Sequence, residues 1–318
     1  MCKTRYELII DCIDETINKS SINNFKNFIE ANKKYMGWVI VSDYCIDDDK
    51  KYNDCLSFSI IPMEHNLFFT ISEEIKNNIT NDLKHTTKIT QDTVNFLHDN
   101  PYTFCFNFII KGINNLIGNF SITEKQNLLR DEMNKLIANI NVENDSFTKY
   151  KNIYHRHFLK KTFPANLFAK NAFVAFLAAY LRVLILKYDE KTVKPITWLP
   201  DRGKFMSSFD NIYASLHQLY YELLIEKENI TWGEKSVTCG LIKDDDTIFY
   251  DELIRIPDYM AGTLSSYEYE TNNTDKDKHA KLIEETFANN DKIINLVVDL
   301  MNDIQCGRLV INKTDNIE

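Results

Sequence analysis

Three aspartates stand where a strand-like or apolar run of this chain ends. Asp43 closes "GWVIVSDY" (37–44), Asp201 closes the run in "KPITWLPDRGK" (194–204), and Asp258 follows the apolar part of "DELIRIPDYMAGTL" (251–264). In α/β proteins functional groups gather at strand ends, where loops converge. Three carboxylates brought together repel one another unless a divalent cation neutralises them, and hard oxygen ligands suit Mg²⁺ or Mn²⁺. Two such ions about 4 Å apart activate water and stabilise the leaving oxygen in phosphodiester cleavage. Arg202 and Lys204 follow Asp201 directly, placed to meet a scissile phosphate or to pair with the acids. Each aspartate also has a purely structural reading. Asp43 can begin a turn that continues into Asp47, Asp48 and Asp49, and Asp201 after Pro200 is a natural turn former. Asp258 after Pro257 fits the first turn of a helix, where proline is accommodated and negative charge meets the dipole.

A second group of residues suggests nucleic-acid contact. In "KYKNIYHRHFLKKTF" (149–163), Lys149, Lys151, Arg156, Lys160 and Lys161 alternate with Tyr150, Tyr154, Phe158 and Phe163. Such a segment holds phosphates and stacks bases, or else is a solvated helix whose aromatics belong to the core. His155 and His157, two apart, point different ways on a helix, and His217 sits inside an amphipathic helix as a structural histidine. The Asp triplets at 47–49 and 244–246 read as solvated turns. The sequence carries no glycine-rich phosphate loop, no GxSxG and no HExxH, which removes the common ATPase, serine hydrolase and zinc protease classes.

Positioning these residues falls to a chain of 318 residues, 44% hydrophobic and 12% aromatic, enough for a substantial buried core. Eight glycines and six prolines leave no Pro/Gly-rich linker, so one compact unit is favoured. The net charge of −9 excludes binding of polyanions by the average field. A nucleic-acid partner therefore needs a local basic patch or a metal ion. Seven cysteines, without a CxxC pair, argue against a disulfide framework or a cysteine zinc site and for a reducing cytoplasm. The N-terminal "MCKTRYELIIDCIDETINK" has acids inside its apolar pattern, unlike a signal peptide. The apolar stretch 171–188 has Arg182 in its middle and reads as a buried core helix, not a membrane span.

The periodicity predicts helices over 5–17 and 22–34, then strands over 37–44, 55–62 and 66–71 as a meander. Helices follow from Ser72 and over 90–100, then an aromatic strand over 102–112, a polar helical stretch to about 163, and a long helix over 166–188. A short strand stops at Pro200-Asp201. Phe209, Ile212, Leu216, Leu219 and Leu223 mark an amphipathic helix. A strand over 235–242, an extended run at 247–254 and a closing helix over 280–304 complete the chain. This order predicts an α/β fold with a mixed sheet flanked by helices. Residues 1–36 read as an N-terminal helical extension, and 37–318 as the main domain with a helical insertion at about 113–165.

Five segments together resemble the prokaryotic domain-of-unknown-function 3800 family, which is RNase H-like. They are "VIVSDY", "CLSFSIIP", "FCFNFIIKG", "ITWLPDRGK" and "IRIPDYMAG", and the resemblance runs from about 37 to 265. The last is the most specific, with Asp258, Ala261 and Gly262 at the positions of that family's Asp-x-x-Ala-Gly-like signature. The chain departs from the pattern at Asp43, which is followed by Tyr44, Cys45 and Ile46 where the family usually has Glu, Ser or Thr, and Gly. It also has Arg255-Ile256-Pro257-Asp258 in place of Gln-Leu-Ala-Asp.

The resemblance implies an RNase H-like, Mg²⁺- or Mn²⁺-dependent nuclease acting on RNA or DNA, in a defence system against phage or plasmids. Asp43, Asp201 and Asp258 would ligate metal, and Arg202 or Lys204 would stabilise charge on the phosphate. The alternative is a catalytically silent member of the same fold, a binding or assembly subunit with residues 5–34 and the closing helix as partner surfaces. The missing glutamate after Asp43 and the acidic net charge favour that alternative.

Overall fold

The computed structural model describes residues 4–139, 148, 151–152, 156–157, 160, 162–189, 194–201, 203, 205–231, 238–240 and 249–313. Its elements, in chain order, are α1 (Arg5–Ser20), α2 (Ile22–Asn32), β1 (Gly37–Cys45), β2 (Asp54–Met63), α3 (His65–Asn78), α4 (Gln91–Asp99), β3 (Phe104–Lys111) and α5 (Ile122–Asn139). After these come α6 (Ala165–Tyr188), β4 (Ile196–Pro200), α7 (Ser208–Lys227), β5 (Thr238–Cys239) and α8 (Asp251–Ser265). A small hairpin of β6 (Tyr267–Glu268) and β7 (Asn273–Thr274), then α9 (Asp277–Leu282), β8 (Ile293–Asp299) and β9 (Gln305–Leu309), close the described chain.

Seven strands form one mixed sheet in the order β5-β4-β1-β2-β3-β8-β9. The first three strands in sequence, β1 to β3, pair antiparallel; β4 and β5 run parallel to β1 on its other side. The sheet extends past β3 through parallel β8 and antiparallel β9. Side chains alternate along β1. Trp38 and Ile40 enter one core, shared with Phe58, Phe104 and Phe106, while Val39 and Val41 enter a second, shared with Ile61, Cys105 and Leu199. Helices α1, α2, α6 and α7 cover the first face; α3, α4 and α8 cover the second. The fold is thus the expected α/β arrangement, a mixed sheet flanked by helices.

The two N-terminal helices are built into this core. Phe25 packs on Phe104 with ring centroids 5.3 Å apart, and Phe28 lies 5.8 Å from Trp38. Helix α6 is long and apolar enough to cross a membrane, yet it is buried throughout its apolar window. Arg182 inside it donates to the Ile196 carbonyl at 2.8 Å and lies over the Tyr221 ring.

Three elements differ from the sequence reading. Residues 66–71 belong to α3, because Ile71 and Ile75 repeat at helical spacing and bury one side only. The closing helix is not formed over 280–304. The helical stretch ends by Phe287, Asn289 takes φ of 55°, and "IINLVVD" becomes β8. A strand paired on both sides and covered on both faces shows an unbroken apolar run, which period alone does not separate from a helix. Finally, α8 begins at Asp251 and not near Pro257, so the extended run predicted over 247–254 is half helix.

Candidate acidic site

The register of β1 and β4 brings two aspartates side by side. Val41 pairs with Leu199 and Ser42 with Pro200, and the ladder continues through Asp201 N–H donating to the Ser42 carbonyl at 2.9 Å. Val41 and Leu199 share the core beneath α8. Two residues further along each strand, Asp43 and Asp201 emerge on that same face. The chain leaves β1 toward β2 on one side and β4 leads toward β5 on the other. The C-terminal ends of two parallel strands at such a reversal form the crevice where α/β sheets bind ligands.

The flanking residues hold this end of β1 from the opposite face. Trp198 Nε1 donates to Ser42 Oγ at 2.8 Å, and Ser42 Oγ also hydrogen-bonds Tyr44 OH. Next to Asp43 on β2 is Ser57, whose hydroxyl donates to Asn107 Oδ1 at 2.6 Å. Asn107 in turn donates to Asn295 Oδ1 at 2.9 Å. A polar row thus runs from the acids across three further strands.

Asp258 arrives from α8. Asp251 and Glu252 place negative charge in the helix's first turn, where it meets the dipole. Pro257 is inside the helix, with its ring buried. Positions 251, 255, 258 and 262 form one stripe at i, i+4, i+7 and i+11. Along that stripe Arg255 donates to the Ile79 carbonyl at 2.7 Å, and Asp258 Oδ2 accepts the Leu83 N–H at 2.7 Å. Asp258 therefore caps a helical turn, but the turn is the 3₁₀ segment Leu83–His85 and not its own helix. Gly262 completes the stripe: a Cβ there would lie 2.7 Å from Leu83 Cδ2. Its small size serves the approach of this turn, while Ala261 packs in the core under the sheet.

The carboxyls of Asp258 and Asp43 meet within hydrogen-bonding range. Burial pushes the Asp43 carboxyl well above the usual carboxylate range; the charges of Asp258 and Asp201 push it further, and the Tyr44 N–H opposes them. Asp258 is raised to about 6, first by burial, with the Leu83 N–H pulling it down and Asp82 and Asp201 pushing it up. Asp43, Asp201 and Asp258 are each half-buried as residues. Sharing a proton is how two carboxylates in contact escape full repulsion.

This donor set fits a hard divalent cation by its chemistry: oxygen ligands only, like charges in contact, and raised proton affinity that a cation would displace. Among the described residues, however, no three His, Cys, Asp or Glu side chains stand at metal-ligand spacing. Asp201 Oδ2 accepts the Gly203 N–H at 3.1 Å. The pair is assembled; the third carboxylate is adjacent and engaged locally.

Arg202 and Lys204 lie outside the described residues, as do Lys149 and Lys161 of the basic segment. Lys151 and Lys160 are exposed. Arg156 and His157 both contact Asp210, at 2.6 and 3.2 Å, and the His157 ring packs on Phe209, which belongs to the core on the other face of the sheet. Arg156 and His157 thus stand on the α7 side of the sheet, across from the acids. His217 is fully buried against Trp198, 4.9 Å between ring centroids.

Two charged residues near the acids were not apparent in the sequence. Asp82 and Lys84 flank Leu83 and act electrostatically on Asp258. The Leu83–Asp258 bond, which spans 175 residues of sequence, brings them to the site. No protein-family model, curated protein or solved structure matches this chain.

Proposed function

We propose that the chain is an RNase H-like, Mg²⁺- or Mn²⁺-dependent phosphodiesterase acting on RNA or DNA, related to the domain-of-unknown-function 3800 family and serving cytoplasmic prokaryotic defence. One observation carries the reading. Asp43, Asp201 and Asp258, the three acids of the resemblance, come from β1, the end of β4 and α8 and act on one another. The mixed sheet, with β1–β2–β3 antiparallel and β4 and β5 parallel to β1, is compatible with it.

Asp43 and Asp258 would hold the cation, with Asp201 completing the set. When bound, the ion supplies charge neutralisation and an activated water. The protein's own groups do the rest. The Leu83 N–H fixes one Asp258 oxygen, and the Asp258 carboxyl acts on Asp43. Asp43 and Asp258, both with raised proton affinity, would have to be deprotonated to hold a cation. The β1–β4 ladder keeps Asp201 beside them.

A second reading is a catalytically silent subunit of the same fold. It is favoured by the absence of a glutamate after Asp43 and by the lack of a ready three-residue ligand set among the described residues. Calorimetric titration with Mn²⁺, paired with a cleavage assay on single-stranded and double-stranded RNA and DNA, separates the two. Saturable Mn²⁺ binding and cleavage, both lost in Asp43→Asn, support the enzyme. A flat titration leaves the silent subunit.

A further inference from the structure

Residues 79–86 connect α3 to α4 over the edge of α8, and side chains from α8 and α9 pin them at close intervals. Arg255 donates to the Ile79 carbonyl at 2.7 Å and Tyr259 OH to the Asn81 carbonyl at 3.1 Å. Asp258 takes the Leu83 N–H at 2.7 Å. Lys278, nine-tenths buried, donates to the Leu83 carbonyl at 2.6 Å and the Thr86 carbonyl at 2.8 Å. Thr86 Oγ1 and Tyr259 OH hydrogen-bond at 3.0 Å. Exposed connections usually leave their backbone groups to water. Here four side chains of two helices hold the backbone of one short strap, and the residue they centre on is Leu83.

What the strap carries outward is charge. Lys84 is exposed, its side chain 72% accessible, and among the described residues its ion pair is a loose 3.6 Å contact with Asp82. Among the described residues, the other cations about Asp258 are engaged: Arg255 and Lys278 with strap carbonyls, Lys51 with Ser266 and Asp275. In a chain of net charge −9, a polyanion approaching two carboxylates needs a cation at that place. Lys84 has the charge, the exposure and the fixed backbone, and it already acts on Asp258.

We propose that Lys84 is the residue that contacts the substrate's phosphate at the acidic site, and that Lys278, by clamping the strap, positions it. The inference rests on the phosphodiesterase reading and names the protein group that recognises that substrate. It places a phosphate contact on the β2–β3 connection.

The test is fluorescence anisotropy of a short labelled single-stranded DNA with the full chain in Mn²⁺, over a salt series. Removing one charge-assisted contact in Lys84→Gln lowers affinity roughly tenfold. It also reduces the slope of log affinity against log salt by about 0.7, the share of one phosphate on a single strand. Lys84→Arg retains both. Lys278→Met weakens binding and speeds hydrogen exchange at the Leu83 N–H, while calorimetry shows Lys84→Gln still binding Mn²⁺ at least as tightly as wild type. If wild type shows no Mn²⁺ heat, the phosphodiesterase reading falls and this inference with it. If Mn²⁺ binds normally and Lys84→Gln keeps wild-type affinity and salt slope, the inference alone is overturned. It is overturned equally if Lys84→Arg behaves like Lys84→Gln.

Discussion

Asp258 accepts the Leu83 N–H at 2.7 Å while its carboxyl meets that of Asp43. One side chain therefore does two things. It ties the strap to α8, and it forms the acid pair with β1. Substitutions that separate these roles have opposite consequences.

Asparagine at either acid relieves like-charge repulsion in the metal-free protein. The folded-state carboxyls of Asp43 and Asp258 are raised above their unfolded values, Asp258 to about 6. The folded form thus holds protons that the unfolded chain releases. Stability from this source is full below about pH 4, the unfolded value, and is lost as pH rises through the folded values. In EDTA, wild type melts lower at pH 8 than at pH 5 from this contribution, and Asp43→Asn shows a smaller drop. Asp258→Asn keeps an acceptor for Leu83 and melts at or above wild type at pH 8. Asp258→Ala loses the acceptor and melts below Asp258→Asn by about 1 kcal/mol, the usual worth of a cap. A wild-type melt that climbs steadily from pH 5 to pH 8 in EDTA, matched by Asp43→Asn, removes the acid pair from the account.

Manganese reverses that ordering. A cation that binds only the folded state stabilises it by about 2.7 kcal/mol at a hundredfold excess over its dissociation constant. Wild type gains melting temperature with Mn²⁺, and the Asn variants of Asp43, Asp201 and Asp258 gain less or nothing. Asp258→Asn is thus neutral or stabilising without metal and deficient with it. Scanning calorimetry across a wide Mn²⁺ range checks this, and an unmoved wild-type melt points to the silent subunit.

The acids were legible in the sequence to different depths. Asp43 and Asp201 follow β-rich runs, and a period of two puts each at a strand end with its direction fixed by Val41 and Leu199. Asp258 was legible as a residue but not in its place. Pro257 imitates a helix start, whereas the helix begins six residues earlier at Asp251. Asp82 and Lys84 gave no local signal, because their relation to the site exists only through a contact between α8 and a distant turn. The strand β8 was hidden for another reason: Ile293, Ile294, Leu296 and Val298 are all buried, so neither period dominates.

The Gly262–Leu83 approach predicts a change of sign. Alanine inside a helix is better than glycine by about 0.8–1 kcal/mol. In the wild-type background, a Cβ at 262 would press on Leu83 Cδ2 from 2.7 Å, so Gly262→Ala is neutral or destabilising. With Leu83→Ala the obstacle is gone, and Gly262→Ala becomes stabilising by about that propensity difference. A double-mutant cycle by urea denaturation measures the coupling. Equal effects of Gly262→Ala in both backgrounds mean that the glycine is not there for the strap.

His217 gives the last prediction. It is fully buried, and neither ring nitrogen has a hydrogen-bond partner among the described residues. Burial, helped by the nearby Arg182 charge, holds its pKa well below the ordinary histidine value. The folded protein therefore keeps this imidazole neutral where the unfolded chain binds a proton. Its contribution to stability is full above about pH 6.5, the unfolded value. It falls as pH drops below that, by about 1.4 kcal/mol per unit until the folded form also protonates. His217→Leu removes an unpaired buried polar group, so it is neutral or stabilising at pH 8. It also flattens the acid limb between about pH 6.5 and pH 5. The acids' contribution runs the other way over this window, because Asp43 and Asp258 favour the folded form as pH falls. The difference between His217→Leu and wild type isolates the histidine. Urea denaturation at several pH values reads that difference, and a constant gap between the two proteins from pH 8 to pH 5 would mean that His217 is protonated alike in both states.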